Sequence, residues 1–371
     1  MIYKNADVFV DGNFKNVDIE VQSGKFLKIS ENLMSDDAID YTGKMILPGL
    51  IDIHSHGCVG YDFITANVTE IEKMCVFYAK NGITSILATT MTIDYDIYKT
   101  AMVHIKEAME SKINGSRIIG INMEGPFLGA DKKGAHDIRY LLPIDVAKFD
   151  ELNNLSGNNI RIVDIDPTLS NSLDFIRKYS KSIIISLAHT SCDYELAAKA
   201  IEAGASHVTH LFNAMNGLHH RKPGLIGAVS DFNIHAEMIC DGIHIHPSVI
   251  RMMFKVDSEK LILISDSMRA TGLEDGIYEL GGQKVYVKDA KATLEDGTIA
   301  GSTVTVYEAM KRSINFGVPK EQAILSATLI PAKAIKADHE IGSISTGKNA
   351  DFIILDKAFN IEHVYKDGNL L

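Results

Sequence analysis

Two strand-like flanks enclose a long middle region in which apolar runs and amphipathic stretches take turns. Residues 1–44 carry short runs of alternating polarity, ADVFVDG and KNVDIEVQSGKFLKI, punctuated by Gly12, Gly24 and Gly43, and read as strands joined by turns. The last thirty residues follow the same style in GSISTGKNADFIILD and IEHVYKDGNL. Between them lie eight short apolar runs, at 45–56, 84–91, 118–126, 161–167, 182–190, 206–212, 235–244 and 261–267. Helical periodicity falls at 69–81, 94–111, 193–204 and 247–255, and at 303–316 and 319–328 after the eighth run. Strands alternating with helices predict a parallel sheet. Eight β/α units over about 290 residues suit a (β/α)8 TIM barrel, whose usual size is roughly 250 residues or more. An open doubly wound sheet would carry a glycine-rich phosphate fingerprint after its first strand. Asp52-Ile53-His54-Ser55-His56 stands there instead.

That segment opens the chemistry. Residues two apart on a strand share a face, so His54 and His56 point the same way and can reach one metal ion. Taken alone they are equally two polar residues capping a strand. The other strand ends change the picture: Glu124 closes the third run, His189 the fifth, His210 the sixth and Asp266 the eighth. In a barrel these ends converge on one rim, where the active sites of this fold lie. Six imidazoles and carboxylates at five of the eight ends form a mixed nitrogen and oxygen ligand set suited to zinc or ferrous iron. His207, three residues before His210, should face the opposite side of its strand and be structural. His244 and His246 form a second HxH, open to reading as ligands, substrate contacts or loop residues. His104 falls in a helical stretch and reads as a surface residue, and His235, His339 and His363 have no supporting context.

Composition narrows the partners. Hydrophobic residues make up 46% and charged residues 23% of 371, which fits a globular protein with a sizeable core and excludes a disordered one. With 37 basic and 48 acidic side chains the net charge is −11, which argues against nucleic acid or an anionic membrane as a partner over a broad surface. A small anionic substrate would need a local basic cluster. The four cysteines, Cys58, Cys75, Cys192 and Cys240, contain no CxxC and suit a reducing compartment. Asp7 and Asp11 interrupt the N-terminal segment before a signal-peptide core can form, and no uncharged apolar run approaches the roughly 20 residues of a membrane span. The expected location is the cytoplasm.

The motifs PGLIDIHSHG, MEGPF, AHT and THLFNAM resemble the amidohydrolase superfamily. Within it the chain is similar to the N-acetylglucosamine-6-phosphate deacetylases. KGAH (133–136), HHRKPGLIG (219–227), DGIH (241–244), SDSMRATG (265–272) and AGS (300–302) extend that likeness over essentially the whole chain. The resemblance implies a metal-dependent barrel on 45–340 and a small β-sandwich built from 1–44 and 341–371. It implies that Glu124, His189 and His210 hold the metal found throughout the family. Some members replace the HxH after strand one; this chain keeps His54 and His56, and so resembles those with a second metal, bridged by Glu124 and approached by Asp266. One or two divalent ions, zinc or iron, are therefore expected per chain. The cyclic-amide hydrolases of the superfamily use a carboxylated lysine on strand four, and RIVDIDP contains none.

For acetamide hydrolysis the resemblance makes Asp266 the general base and His136 the donor to the developing oxyanion. Ala135, Asn213, Ala214, the segment Asp241, Gly242, Ile243 and His244, and the segment Ile299, Ala300 and Gly301 are expected to line the amino-sugar phosphate site. Arg221, aided by His220, supplies the basic cluster, since a guanidinium meets phosphate with a bidentate fork. In this family that arginine reaches the phosphate across a dimer interface, so a homodimer is implied. Lys222 stands where the family usually has Glu and reads as a solvated residue. The alternatives are a deacetylase for the galactosamine epimer, an adenine deaminase, a cyclic-amide hydrolase, or a sugar-phosphate sensor. MEGPF, KGAH and the HHR loop count against the deaminase, and Asp266 against the sensor.

Overall fold

The computed structural model describes residues 1–35 and 37–371. Eight parallel strands form one sheet in sequence order: β1 (Leu50–Ser55), β2 (Ile83–Thr89), β3 (Arg117–Glu124), β4 (Ile160–Ile165), β5 (Ile184–Leu187), β6 (His207–Val208), β7 (His235–Ile239) and β8 (Leu261–Ile264). Its two edges meet: the Asp266 main-chain N–H donates to the His54 carbonyl at 2.9 Å, and Ser55 bridges Ser267. The sheet is thus a barrel. Alternation along each strand sorts side chains to its two faces. On β4, Ile162 joins Leu87, Ile184, Ile239, Ile262 and Ile264 in one buried cluster, while Val163 and Ile165 join the larger cluster formed with the surrounding helices.

Helices Val68–Lys80, Tyr95–Glu110, Tyr194–Ala203, Pro247–Asp257, Val306–Asn315 and Lys320–Ser326 coincide with the expected periodic stretches to within a few residues. Two of them, Val68–Lys80 and Val306–Asn315, begin with a reciprocal capping box, Asn67 with Glu70 and Thr305 with Glu308. Four more helices were not anticipated: Val146–Leu155, Ser172–Tyr179, Gly224–Asp231 and Leu329–Ala334. A three-stranded antiparallel sheet, Gly276–Leu280, Gln283–Lys288 and Lys291–Thr293, follows β8 and was also not anticipated. Leu280, Val285 and Val287 from it pack with Met91, Ala135 and Met268 at the barrel mouth.

The flanks form two further sheets. One has four strands from the first forty residues; the other has six, combining Asp7–Val10, Asn13–Asn16 and Met45–Pro48 with Phe352–Leu355, Ile361–Lys366 and Asn369–Leu370. Val8, Ile46, Phe352 and Ile354 face the four-stranded sheet through Ile19, Val21 and Phe26, whereas Phe9, Leu47, Ile353 and Leu355 belong to the barrel-side core. Period two therefore gives the six-stranded sheet two buried faces. The strand Met45–Pro48, just past the expected division after residue 44, pairs with Asp7–Val10 and Phe352–Leu355 inside this sheet. Among the described residues no helix is long and apolar enough to cross a membrane.

Candidate metal centre and substrate cavity

Five histidines and two acids meet at the rim. Glu124 Oε1 lies 3.2 Å from His189 Nε2 and 3.1 Å from His210 Nε2, and those two nitrogens are 3.1 Å apart. Its other oxygen lies 3.2 Å from His56 Nε2 and 3.4 Å from His136 Nε2. Asp266 Oδ1 is 3.2 Å from His56 Nε2 and 3.6 Å from His54 Nε2. The backbone leaves extended geometry to aim these groups: φ is +45° at His189, +30° at His210 and +50° at Asp266. Non-glycine residues hold such conformations only where the surroundings enforce them, as functional sites do.

Hydrogen-bond partners fix which ring nitrogens carry protons. His189 Nδ1 lies 2.8 Å from the Lys132 carbonyl, which can only accept, so Nδ1 bears the hydrogen and Nε2 offers a lone pair. His54 Nδ1 lies 2.9 Å from the Glu237 carboxylate, with the same consequence. His54 Nε2 is buried and has no hydrogen-bond partner. His136 is reversed: its Nδ1 accepts the Thr92 main-chain N–H at 3.3 Å, so Nε2 carries the hydrogen. The residues fit a divalent ion. Lone pairs converge on common points at 3.1–3.2 Å from one another, close to the about 3.3 Å edge of a tetrahedron with ligands at about 2.0–2.1 Å. Among the described residues three groupings of candidate donors emerge, His54 with His56 and Asp266, Glu124 with His136 and His189, and His54 with Glu124 and Asp164. His136, with its hydrogen on Nε2, turns a donor rather than a lone pair toward the centre.

Electrostatics follow from this crowding. Burial opposes ionisation of Glu124, but the surrounding imidazoles, His54 and His136 first, outweigh it and hold the carboxyl well below its usual range. Burial likewise opposes charge on Asp266, and the His56 hydrogen bond and His54 charge overcome it, so Asp266 is ionised at neutral pH. Burial pushes His189 down to about 4, which keeps it neutral and able to ligate.

A cavity of about 370 Å³ opens above the cluster. Of the expected substrate contacts, Ala135, His136, Asn213, Ala214, His244, Ile299 and Gly301 line it. Asp241, Gly242, Ile243 and Ala300 do not. Asp241 stands behind the wall and accepts from His244 Nδ1 at 2.7 Å and the His244 main-chain N–H at 2.9 Å. His246 has no part in the cavity; it caps helix Pro247–Asp257. His220, Arg221 and Lys222 are exposed on a loop and do not reach the cavity of their own chain. His104 is half-buried, with Nδ1 3.1 Å from the Ala66 carbonyl, rather than on the surface.

His207 corrects a strand-face argument. Strand β6 stops at Val208 and φ turns positive at His210, so alternation no longer relates the two histidines. Both reach Glu237, His207 through Nε2 at 3.0 Å and His210 through its main-chain N–H at 3.2 Å. Sequence reasoning also missed Glu237 and Asp164, wholly buried on β7 and β4. A charged residue inside an apolar run, as in HAEMI and IRIVDI, was the available signal. Burial, with Glu124 and Glu237 nearby, raises the Asp164 carboxyl well above its usual range. Lys132, Met91 and Leu280 also line the cavity unforeseen.

Residues 45–371 match the amidohydrolase family. The chain is 39% identical over 333 residues to the N-acetylglucosamine-6-phosphate deacetylase of Bacillus subtilis (strain 168), spanning 88% of this chain and 84% of the relative. It is 31% identical over 330 residues to the N-acetylgalactosamine-6-phosphate deacetylase of Escherichia coli O157:H7, spanning 88% of each. The crystal structure of N-acetylglucosamine-6-phosphate deacetylase from Pasteurella multocida superposes with a TM-score of 0.94 at 30% identity, covering 100% of this chain and 99% of that one.

Proposed function

The chain belongs to the amidohydrolase family, and from that premise we propose that the rim cavity hydrolyses the acetamide of N-acetyl-D-glucosamine 6-phosphate to D-glucosamine 6-phosphate and acetate. One observation carries the reading: Glu124 lies within 3.4 Å of the Nε2 atoms of His56, His136, His189 and His210, with Asp266 beside them on the wall of the same cavity.

Glu124, His189 and His210 would hold one divalent ion, and His54, His56 and Asp266, together with Glu124, a second; zinc or ferrous iron suits both donor sets. A bound ion supplies Lewis-acid chemistry, acidifying a water and polarising the amide carbonyl. Asp266, ionised, accepts a proton from the attacking water and passes it to the amide nitrogen as the carbon–nitrogen bond breaks. The water oxygen leaves in acetate and the amine leaves neutral. His136 directs Nε2–H toward the carbonyl oxygen as it gathers charge, a donor typically worth ~3 kcal/mol of barrier.

His244, braced by Asp241, and the loop of Asn213 and Ala214 receive the sugar phosphate together with Ala135, Ile299 and Gly301. Arg221 and His220 serve the active site of a second copy, because their own cavity lies out of reach, and the working unit is a homodimer. The catalytic barrel begins at Leu50 and runs to residue 340, and 1–48 with 341–371 form the supporting sandwich, Met45–Pro48 belonging to its six-stranded sheet. Four buried free cysteines agree with a cytoplasmic location.

Acetate release from N-acetylglucosamine 6-phosphate and from its galactosamine epimer tests the function. Faster release from the first supports the reading. Faster release from the second moves the assignment to the epimer, which one of the two relatives takes by name. No release from either, with metal bound, overturns the deacetylase.

A further inference from the structure

Resting on that two-metal reading, we propose that Glu237 is the positioning residue that sets occupancy of the His54/His56 metal site. Glu237 lies on β7, fully buried, and three N–H groups converge on its carboxylate. Oε2 accepts from His54 Nδ1 at 2.9 Å and from the His210 main chain at 3.2 Å, and Oε1 from His207 Nε2 at 3.0 Å. A carboxylate sealed from water is costly to bury unpaired. With three donors it is satisfied and fixed.

The consequence for His54 is chemical. Because the carboxylate can only accept, Nδ1 keeps its hydrogen and Nε2 presents a lone pair. That Nε2 has no hydrogen-bond partner and stands 3.7 Å from Glu124 Oε1 and 3.6 Å from Asp266 Oδ1. These gaps are too long for direct hydrogen bonds; they leave room for an ion that the three groups share. The ring packs against those of His56 and His210, with centroids 5.2 and 5.6 Å away, which restricts its swing. Without Glu237 the tautomer is free to reverse and turn Nε2–H toward the cation.

The same oxygen also steadies the His210 backbone where φ is +30°. One carboxylate therefore ties a ligand of the first site to a ligand of the second, and His207 acts as the strut that holds it.

The test replaces Glu237 with Gln, which keeps volume but has one accepting oxygen and an amide donor, too few acceptors for three N–H groups. Zinc stoichiometry and affinity are measured by chelator competition. The unaltered protein should bind two ions per chain. In Glu237→Gln the second ion should bind about 10–100-fold more weakly, while the first changes far less. A second measurement uses metal-free protein labelled with ¹⁵N-histidine, at a pH alkaline enough to leave His54 neutral, since burial is outweighed by Glu237 and Glu124 and its pKa is held well above the usual value. The His54 signal is assigned by its loss in His54→Gln. His54 should be the Nδ1–H tautomer in the unaltered protein and shift toward Nε2–H in the variant. Two ions held with unchanged affinity in Glu237→Gln would overturn the inference, as would an Nε2–H His54 in the unaltered protein. A single ion in the unaltered protein refutes the two-metal reading instead. The tautomer then still decides whether Glu237 orients His54, including when the variant does not fold.

Discussion

Asp266 is asked to do two proton transfers, so its replacement separates chemistry from binding. Asp266→Asn keeps the size and one oxygen but cannot take a proton. Turnover should fall by at least about 10²–10⁴-fold, with a much smaller change in KM, the mark of an interaction made mainly in the transition state. Retention of one metal per chain in that variant checks that Glu124, His189 and His210 survive. His54→Gln combined with His56→Asn should lower the metal content from two per chain toward one, read by elemental analysis after loading with excess zinc. The proposed ligands were legible, because His54, His56, Glu124, His189, His210 and Asp266 all fall at the ends of apolar runs. What holds them was not. Glu237 is remote in sequence from His54, its contacts come from strand curvature and closure of the barrel, and no local pattern encodes them. For His207 only the face argument failed, because alternation is valid only while the strand lasts and β6 ends at Val208; the residue does pair with Glu237 rather than line the cavity.

Among elements, the eight barrel strands were visible because each is a short apolar run bounded by polar or turn residues. The helices that escaped notice are short or poorly marked. Ser172–Tyr179 makes only two turns, and Gly224–Asp231 opens on a glycine and carries few charges until its end. The sheet after β8 had a signal, the alternation of IYEL and KVYVK about Gly281-Gly282. It bears on the cavity: Leu280 lines the wall, and the Gln283 side chain donates to the Ala135 carbonyl beside His136. Gln283→Ala removes that tie. It should raise KM by about two- to tenfold, the span of one net hydrogen bond of 0.5–1.5 kcal/mol, with kcat and thermal stability little changed. Steady-state kinetics beside a melting curve distinguish this from general destabilisation.

At the scale of the molecule, the loop of His220 and Arg221 is exposed and does not line its own cavity, with Leu218 half exposed beside it. Arg221→Ala should weaken the phosphorylated substrate by roughly 10–100-fold, as expected for a charged hydrogen bond of about 1.5–3 kcal/mol, and leave activity on unphosphorylated N-acetylglucosamine nearly unchanged. Mixing it with Asp266→Asn protein should restore part of the activity, because one site of the mixed dimer then has both groups; no restoration would place Arg221 within a single chain. The barrel and sandwich are held together by Arg117, which spans Asp351 at 2.9 Å and Asp367 at 2.6 Å, and by Met45–Pro48, which runs through Gly49 into the strand bearing His54. That six-stranded sheet has a consequence for the growing chain on the ribosome. Met45–Pro48 finds its neighbour Phe352–Leu355 only after about 300 further residues are made, roughly 15–60 s at 5–20 residues per second. Through that interval Met45, Ile46 and Leu47 present an unpaired apolar edge. The nascent chain is therefore open to aggregation or chaperone capture until its last strands emerge, however early the barrel forms.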